Sequence, residues 1–212
     1  MLTVATLLWD ANRNTKHFSE CYDESWVEKL YRGFERNLTV PFTFRCFTER
    51  VRFYEEPAIK QSMLEAKTPD YGTCIEPYRL GEPMILVGLD TVILRNIDHL
   101  AEYCLTAKTI ALPRDPYKWS QAINGVCLVP AGHQAVYENW RGENDMEWMR
   151  QQPHVFIDDI FPGSVVSLKG HVMQRASSQK SGGIDGVDIC YLHGNPKMHE
   201  LGHLPWINEH WR

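Results

Sequence analysis

The chain has 212 residues, enough to bury one full hydrophobic core and too few for two generous domains. Apolar residues make up 43% and charged residues 23%, ordinary globular proportions that exclude a disordered, collagenous or coiled-coil chain. The net charge of −5 excludes the basic footprint of a nucleic-acid binder, and a protein this mildly acidic must neutralise a bound diphosphate locally, with a metal or a few placed cations.

In chain order, the apolar run 2–9 is too short to span a membrane and ends at Asp10 without a cleavage-like site. It reads as a strand over residues 3–8 rather than a signal peptide. Residues 24–37 carry Trp26, Val27, Leu30, Tyr31 and Phe34 at helical spacing and predict a helix. A second strand is predicted at 42–47 and a short helix at 57–66. A strand at 84–87 reaches the Gly88-Leu89-Asp90 corner, and another apolar stretch, 91–94, leaves it. Strands follow at 109–112 and 126–129, helices at 133–140 and 145–151, and closing strands at 165–168 and 189–192. The stretch 174–186 is rich in Ser, Gly and Lys, lacks periodicity, and reads as a loop of the kind that forms lids beside sites. No repeat or linker divides the chain. The alternation predicts a single α/β domain over residues 1–212, with a mostly parallel mixed sheet flanked by helices. Six cysteines without a C-x-x-C pair read as reduced thiols of a cytoplasmic protein.

Two segments carry chemistry. In the run from Met84 to Leu94 a buried strand ends at Asp90, where open α/β sheets place ligands. A carboxylate there suits a hard divalent cation and the phosphates such a cation binds. At Tyr191-Leu-His-Gly-Asn-Pro-Lys197 a strand runs into His193, a nitrogen ligand. Gly194 then permits close backbone approach, and Lys197 supplies a point charge for a phosphate oxygen.

Together these segments resemble glycosyltransferase family 8, the glycogenin-like nucleotide-diphospho-sugar transferases of the GT-A (Rossmann-like) fold. The resemblance implies that Asp90 is the second aspartate of the family's D-x-D motif, with His193 the other metal ligand and Lys197 the phosphate contact. It implies manganese or magnesium as cofactor, a nucleoside diphosphate sugar (a UDP-sugar) as donor, and a glycan, lipid or protein acceptor, with retention of configuration. Asn124-Gly125-Val126 resembles the N-S/T-G-V segment at the donor sugar, and Asn144-Asp145-Met146-Glu147 the helix start near the reacting centre. That places Asp145 and Glu147 beside the sugar. The first strands resemble the family's nucleoside-binding strands, which would bring Thr6 or Asp10 near the base. The chain departs from the pattern twice: Gly88 stands at the first D-x-D aspartate and Met146 at a usual glutamine.

Two alternatives come from other classes. Gly88 and Met146 suit a non-catalytic nucleotide or glycan binder of the same fold. His199-Glu-Leu-Gly-His203 spells H-E-x-x-H, the signature of zinc hydrolases, which need both histidines on one helical face. Pro205 and Gly202 disfavour that helix, so the segment reads instead as an amphipathic terminus packed through Leu201, Leu204, Trp206, Ile207 and Trp211.

Overall fold

The computed structural model describes the backbone of residues 1–212 and every side chain except that of Phe18. The strands in chain order are β1 (Leu2–Leu7), β2 (Phe42–Thr48), β3 (Lys60–Met63), β4 (Met84–Val87), β5 (Thr91–Ile93), β6 (Ile110–Leu112), β7 (Arg114–Asp115), β8 (Lys118–Ala122), β9 (Val126–Val129), β10 (His154–Phe156), β11 (Val165–Ser167) and β12 (Ile189–Tyr191). The main helices are α1 (Glu24–Asn37), α2 (Asp98–Thr106), α3 (Asp145–Gln151) and α4 (Pro205–His210).

Seven strands form the central sheet in the order β10-β6-β9-β4-β1-β2-β3. The pairs β1–β2, β1–β4, β2–β3 and β6–β10 are parallel, while β9 runs antiparallel to both β4 and β6. The α/β expectation with a mostly parallel sheet therefore holds. Both faces are covered, which is why β1 and β4 are wholly buried and, apart from Thr3 and Thr6, apolar. Leu2 and Val4 of β1 pack into one core, and Ala5 and Leu7 into the other. The first core contains α1, α2 and a small second sheet in the order β11-β12-β5. The second is closed by a 3-10 segment, Tyr71–Leu80, and by α3.

α1 starts where Asp23 accepts a hydrogen bond from the Ser25 amide, and it buries Trp26, Val27, Leu30, Tyr31 and Phe34, the residues its periodicity singled out. Two local expectations fail for identifiable reasons. Residues 57–66 form no helix: Lys60, Gln61 and Met63 are exposed, so there is no apolar face to bury, and Lys60–Met63 instead pairs its backbone with the edge of β2. Of 133–140 only Ala135–Glu138 is helical, because the Gly132 amide bonds the Gly81 carbonyl and Gln134 lies over Gly81, where a Cβ would collide with it. The stretch 174–186 is irregular beyond Arg175, in keeping with a loop, and is anchored at two glycines. Gly183, at φ 96°, closes on the Val172 carbonyl, and Gly182 lies on Trp206. No described helix is long and apolar enough to cross a membrane.

Candidate functional site

The parallel strands β1 and β4 pair in the register Ala5↔Leu86, so their carboxyl ends emerge together and place Leu7–Trp9 beside Gly88–Asp90. The antiparallel pair β5–β12 has Tyr191 opposite Thr91, and the Leu192 amide donates to the Asp90 carbonyl at 2.8 Å. Two segments a hundred residues apart are thereby locked so that Asp90 and His193 open on the same space. The first turn of the neighbouring strand joins them, since the Gly88 amide donates to the Gly125 carbonyl at 3.2 Å. Gly125 lies close against Tyr191, where an added Cβ would stand 3.0 Å from the ring and press it aside.

A cavity of about 290 Å³ lies over these strand ends. Asp90, Asn124, Gly125, Asp145, His193, Gly194 and Lys197, all singled out from the sequence, line it. Three others do not. Thr6 is fully buried inside β1, paired to Cys46 of β2. Asp10 faces outward and is held by Arg50 and Arg52. Glu147 lies two positions beyond Asp145 on α3 and is exposed. Lining residues with no sequence signal include Tyr22, Tyr71, Cys74 and Tyr78; they arrive from the segment before α1 and from the 3-10 segment, neither of which has a strand-end motif to announce it.

Polar groups of the cavity form two clusters. In the first, Lys197 is almost fully buried, and its Nζ donates to Asp90 Oδ2 and to the Tyr22 hydroxyl, both at 2.5 Å. Tyr22 in turn donates to Asp90 Oδ2 at 3.0 Å. Burial, with Asp90 beside it, pushes the Tyr22 phenol far above its usual range, so it remains a donor. His193 Nε2 lies 2.9 Å from Ser167 Oγ, and burial followed by the charge of Lys169 lowers its pKa, leaving the ring neutral at physiological pH. In the second cluster, Asn144 caps α3 by accepting from the Met146 and Glu147 amides, which turns Asp145 into the cavity. Asn124 Nδ2 donates to Asp145 Oδ2 at 2.7 Å. Burial raises the Asp145 pKa, against the opposing effect of that hydrogen bond.

The divalent cation implied by the resemblance needs several oxygen or nitrogen donors around one point. Among the described residues no group of three or more His, Cys, Asp or Glu side chains forms that could hold a metal ion. Asp90 already spends one oxygen on Lys197, and Gly88 brings no second carboxylate. Asp90 and His193 thus share the cavity without completing a metal centre.

The H-E-x-x-H segment is not a zinc site either. His199 and Glu200 sit on a short 3-10 turn, Met198–Glu200, and the chain turns again before α4, so the two histidines do not share a helical face. Glu200 instead accepts a hydrogen bond from the Lys197 amide at 2.7 Å, which fixes the backbone of the phosphate-binding candidate.

Beside the cavity stands the β7–β8 hairpin. Tyr117 (64% exposed) and Trp119 (56% exposed) project from it, and the Tyr117 ring meets His193 edge-on at 5.7 Å. Arg114 is gripped by Asp159 and stacks on Phe156 and Trp119, which braces the hairpin. A seat for Pro116 is provided by Gly170, where a Cβ would stand 2.3 Å from the proline.

No protein-family profile matches the chain, and no curated protein is detectably similar to it in sequence. Solved structures are similar in shape. An active-site mutant of LgtC superposes with a TM-score of 0.55 at 8% identity, over 92% of this chain and 89% of that one. The galactosyltransferase LgtC in complex with donor and acceptor sugar analogues gives 0.55 at 8%, over 98% and 93%. The glycosyltransferase GlyE of Streptococcus pneumoniae gives 0.57 at 11%, over 98% of this chain and 62% of that one. The fold is that of the GT-A glycosyltransferases. At such identities the likeness is one of fold, and the chemistry has to be argued from the cavity.

Proposed function

We propose that the protein is a glycosyltransferase that moves a sugar from a nucleoside diphosphate donor, a UDP-sugar by its resemblance, to an acceptor hydroxyl. The observation that carries the proposal is the convergence of Asp90, Asn124, Asp145, His193, Gly194 and Lys197 on one cavity at the carboxyl ends of the strands. The donor's diphosphate lies at Lys197 and Gly194, and its sugar at Asn124 and Asp145. In the reaction an acceptor oxygen bonds to the anomeric carbon while the bond from that carbon to the phosphate oxygen breaks. Lys197 neutralises the charge that develops on the departing diphosphate. With retention, attack and departure share one face of the sugar, and the acceptor proton passes to the leaving phosphate oxygen. Asp145, when ionised, stabilises the positive charge that grows on the sugar ring. Exposed Tyr117 and Trp119 offer flat aromatic faces beside the cavity, which favours a glycan as acceptor. Six cysteines, mostly buried and without a C-x-x-C pair, suit a reducing, cytoplasmic setting.

The test is release of nucleoside diphosphate from a panel of UDP-, GDP- and dTDP-sugars, with and without oligosaccharide acceptors. Acceptor-stimulated release from one donor supports transfer. Donor binding without any release favours the non-catalytic reading, which Gly88 keeps in play; no binding by any donor removes both.

Asp145→Asn separates function from folding. The Asn124 hydrogen bond can persist, but the charge is gone, so kcat is expected to fall about 100-fold with KM little changed. A carboxyl whose pKa is raised by folding favours the folded state below its unfolded pKa and loses that contribution as pH rises through the folded pKa. The wild-type carboxylate therefore costs stability at neutral pH. Asp145→Asn should melt higher than wild type there, with the difference shrinking on acidification. The acid limb of the wild-type rate profile should also be displaced upward from that of a free aspartate, in the direction that burial moves Asp145.

A further inference from the structure

The donor-binding cavity has the wrong charges for a resident divalent cation and the right ones for a bare diphosphate. Resting on the donor reading above, we infer that the diphosphate is held by two lysines, Lys197 and Lys169, in place of a bound metal ion.

Three observations lead there. First, the position that would supply a second carboxylate holds Gly88, and a Cβ built on it would stand 3.0 Å from Asp90 Oδ1. An aspartate at 88 would thus lie directly against Asp90 and form a paired cation site, and its absence leaves Asp90 a single negative charge. Second, that single charge is already matched. The Lys197 ammonium sits 2.5 Å from Asp90 Oδ2 with Tyr22 donating to the same oxygen, so a positive group already stands where a cation would bind this carboxylate. A metal ion would have to displace a largely buried ion pair and would gain only one carboxylate and one imidazole. Third, a second cation without a carboxylate of its own, Lys169, stands over Gly194, which lines the cavity. Lys169 makes no ion pair among the described residues. Its Nζ lies 3.3 Å from the point where a Cβ of Gly194 would be.

Gly194 is at φ 62°, a conformation glycine adopts without strain, and it lacks the side chain that would separate its backbone from Lys169. Lys169 is held in place by the turn Leu168–Val172, which Ser167 caps by accepting from the Gly170 amide at 3.1 Å. That same hydroxyl meets His193. The result is one ammonium group inside the cavity, Lys197, balanced by Asp90, and a second, Lys169, in excess over the Gly194 backbone, where an anionic diphosphate reaching Gly194 would satisfy it. Two lysines then take the part of the local neutralising charge that a mildly acidic protein must provide.

Calorimetric titration of UDP, GDP, ADP and dTDP into metal-stripped protein tests this, in chelator and again in manganese. One of the four is expected to bind in chelator with an affinity within about twofold of that in manganese. Lys169→Ala, a half-buried position whose loss leaves Asp90 and Lys197 paired, should weaken that binding at least tenfold in chelator and reduce its salt dependence. Gly88→Asp should create the missing pair, so that binding weakens in chelator and is restored by manganese. Binding by wild-type protein that requires manganese overturns the inference while leaving the donor reading intact. Unchanged binding by Lys169→Ala removes the two-lysine grip. Failure of all four nucleotides under both conditions overturns the donor reading along with it.

Discussion

Lys197→Ala is expected to reduce turnover by about 100- to 1000-fold and to weaken nucleoside diphosphate binding at least tenfold, the range for loss of one charged group aimed at a developing anion. Two effects must be separated. Lys197 is the cation of a mostly buried pair, so its removal also leaves Asp90 and Tyr22 without their shared partner. That loss should cost about 1–3 kcal/mol of stability, less than for a fully dry site because Asp90 faces the cavity. The double variant Asp90→Asn with Lys197→Ala should recover most of the melting temperature and none of the turnover. Recovery of turnover as well would mean that Lys197 only props up the fold. Steady-state kinetics and thermal melts of the two variants, run side by side, decide between these outcomes.

The second large effect lies outside the cavity. The Arg52 side chain is only 2% exposed and its guanidinium reaches Glu24, Asp10 and Glu49, each at 2.9 Å, while Nε donates to Thr48. These partners come from the end of β1, the start of α1 and the end of β2, so one cation clamps three elements of the sheet edge nearest the cavity. Arg52→Ala removes the buried cation and leaves the three carboxylates only the more exposed Arg50, which should destabilise the fold by about 2–4 kcal/mol. For a chain of this length that corresponds to a fall in Tm of about 10 °C. Arg52 also helps explain Asp10, whose pKa is lowered from 3.8 to about 2, mainly by its hydrogen bond from Arg50 with Arg52 adding to it. A depressed carboxyl stabilises the fold above its unfolded pKa and loses that contribution as pH falls through the folded value. Between about pH 4 and pH 2 the wild-type protein should therefore lose stability that Arg52→Ala has in part already lost. A urea midpoint equal to wild type at neutral pH would show that the clamp is ornamental.

The same clamp shows what separates Asp10 from Asp90. It follows a buried strand, as Asp90 does, and strand-end carboxylates look alike in a sequence. Asp90 is turned into the cavity by the β5–β12 pairing, whereas Asp10 is drawn outward by two arginines forty residues away. Glu147 differs from Asp145 by two positions on α3, about 200° around a helix, and only the cap at Asn144 decides which of the two faces inward. The hairpin bearing Tyr117 and Trp119, the 3-10 wall and α2 lacked a sufficiently clear period to be recognised.

What the sequence determined alone was whatever rests on local repetition or on chemistry confined to a few neighbours. Strands apolar on both faces, the helical stripe of α1, and the strand-end segments around Asp90 and His193 all have that character, and together they were enough for the α/β class and the candidate residues. What only the tertiary structure decided was pairing between distant groups. Asp90 needs the register of β5 against β12 to meet His193, Lys197 needs both to meet Asp90, and Lys169 needs the turn after β11 to stand beside Gly194. Whether a carboxylate is open to a cation or already matched by an ammonium is a matter of a few ångströms across the fold. Charge interactions fall off over that distance, and residue spacing along the chain carries no record of it.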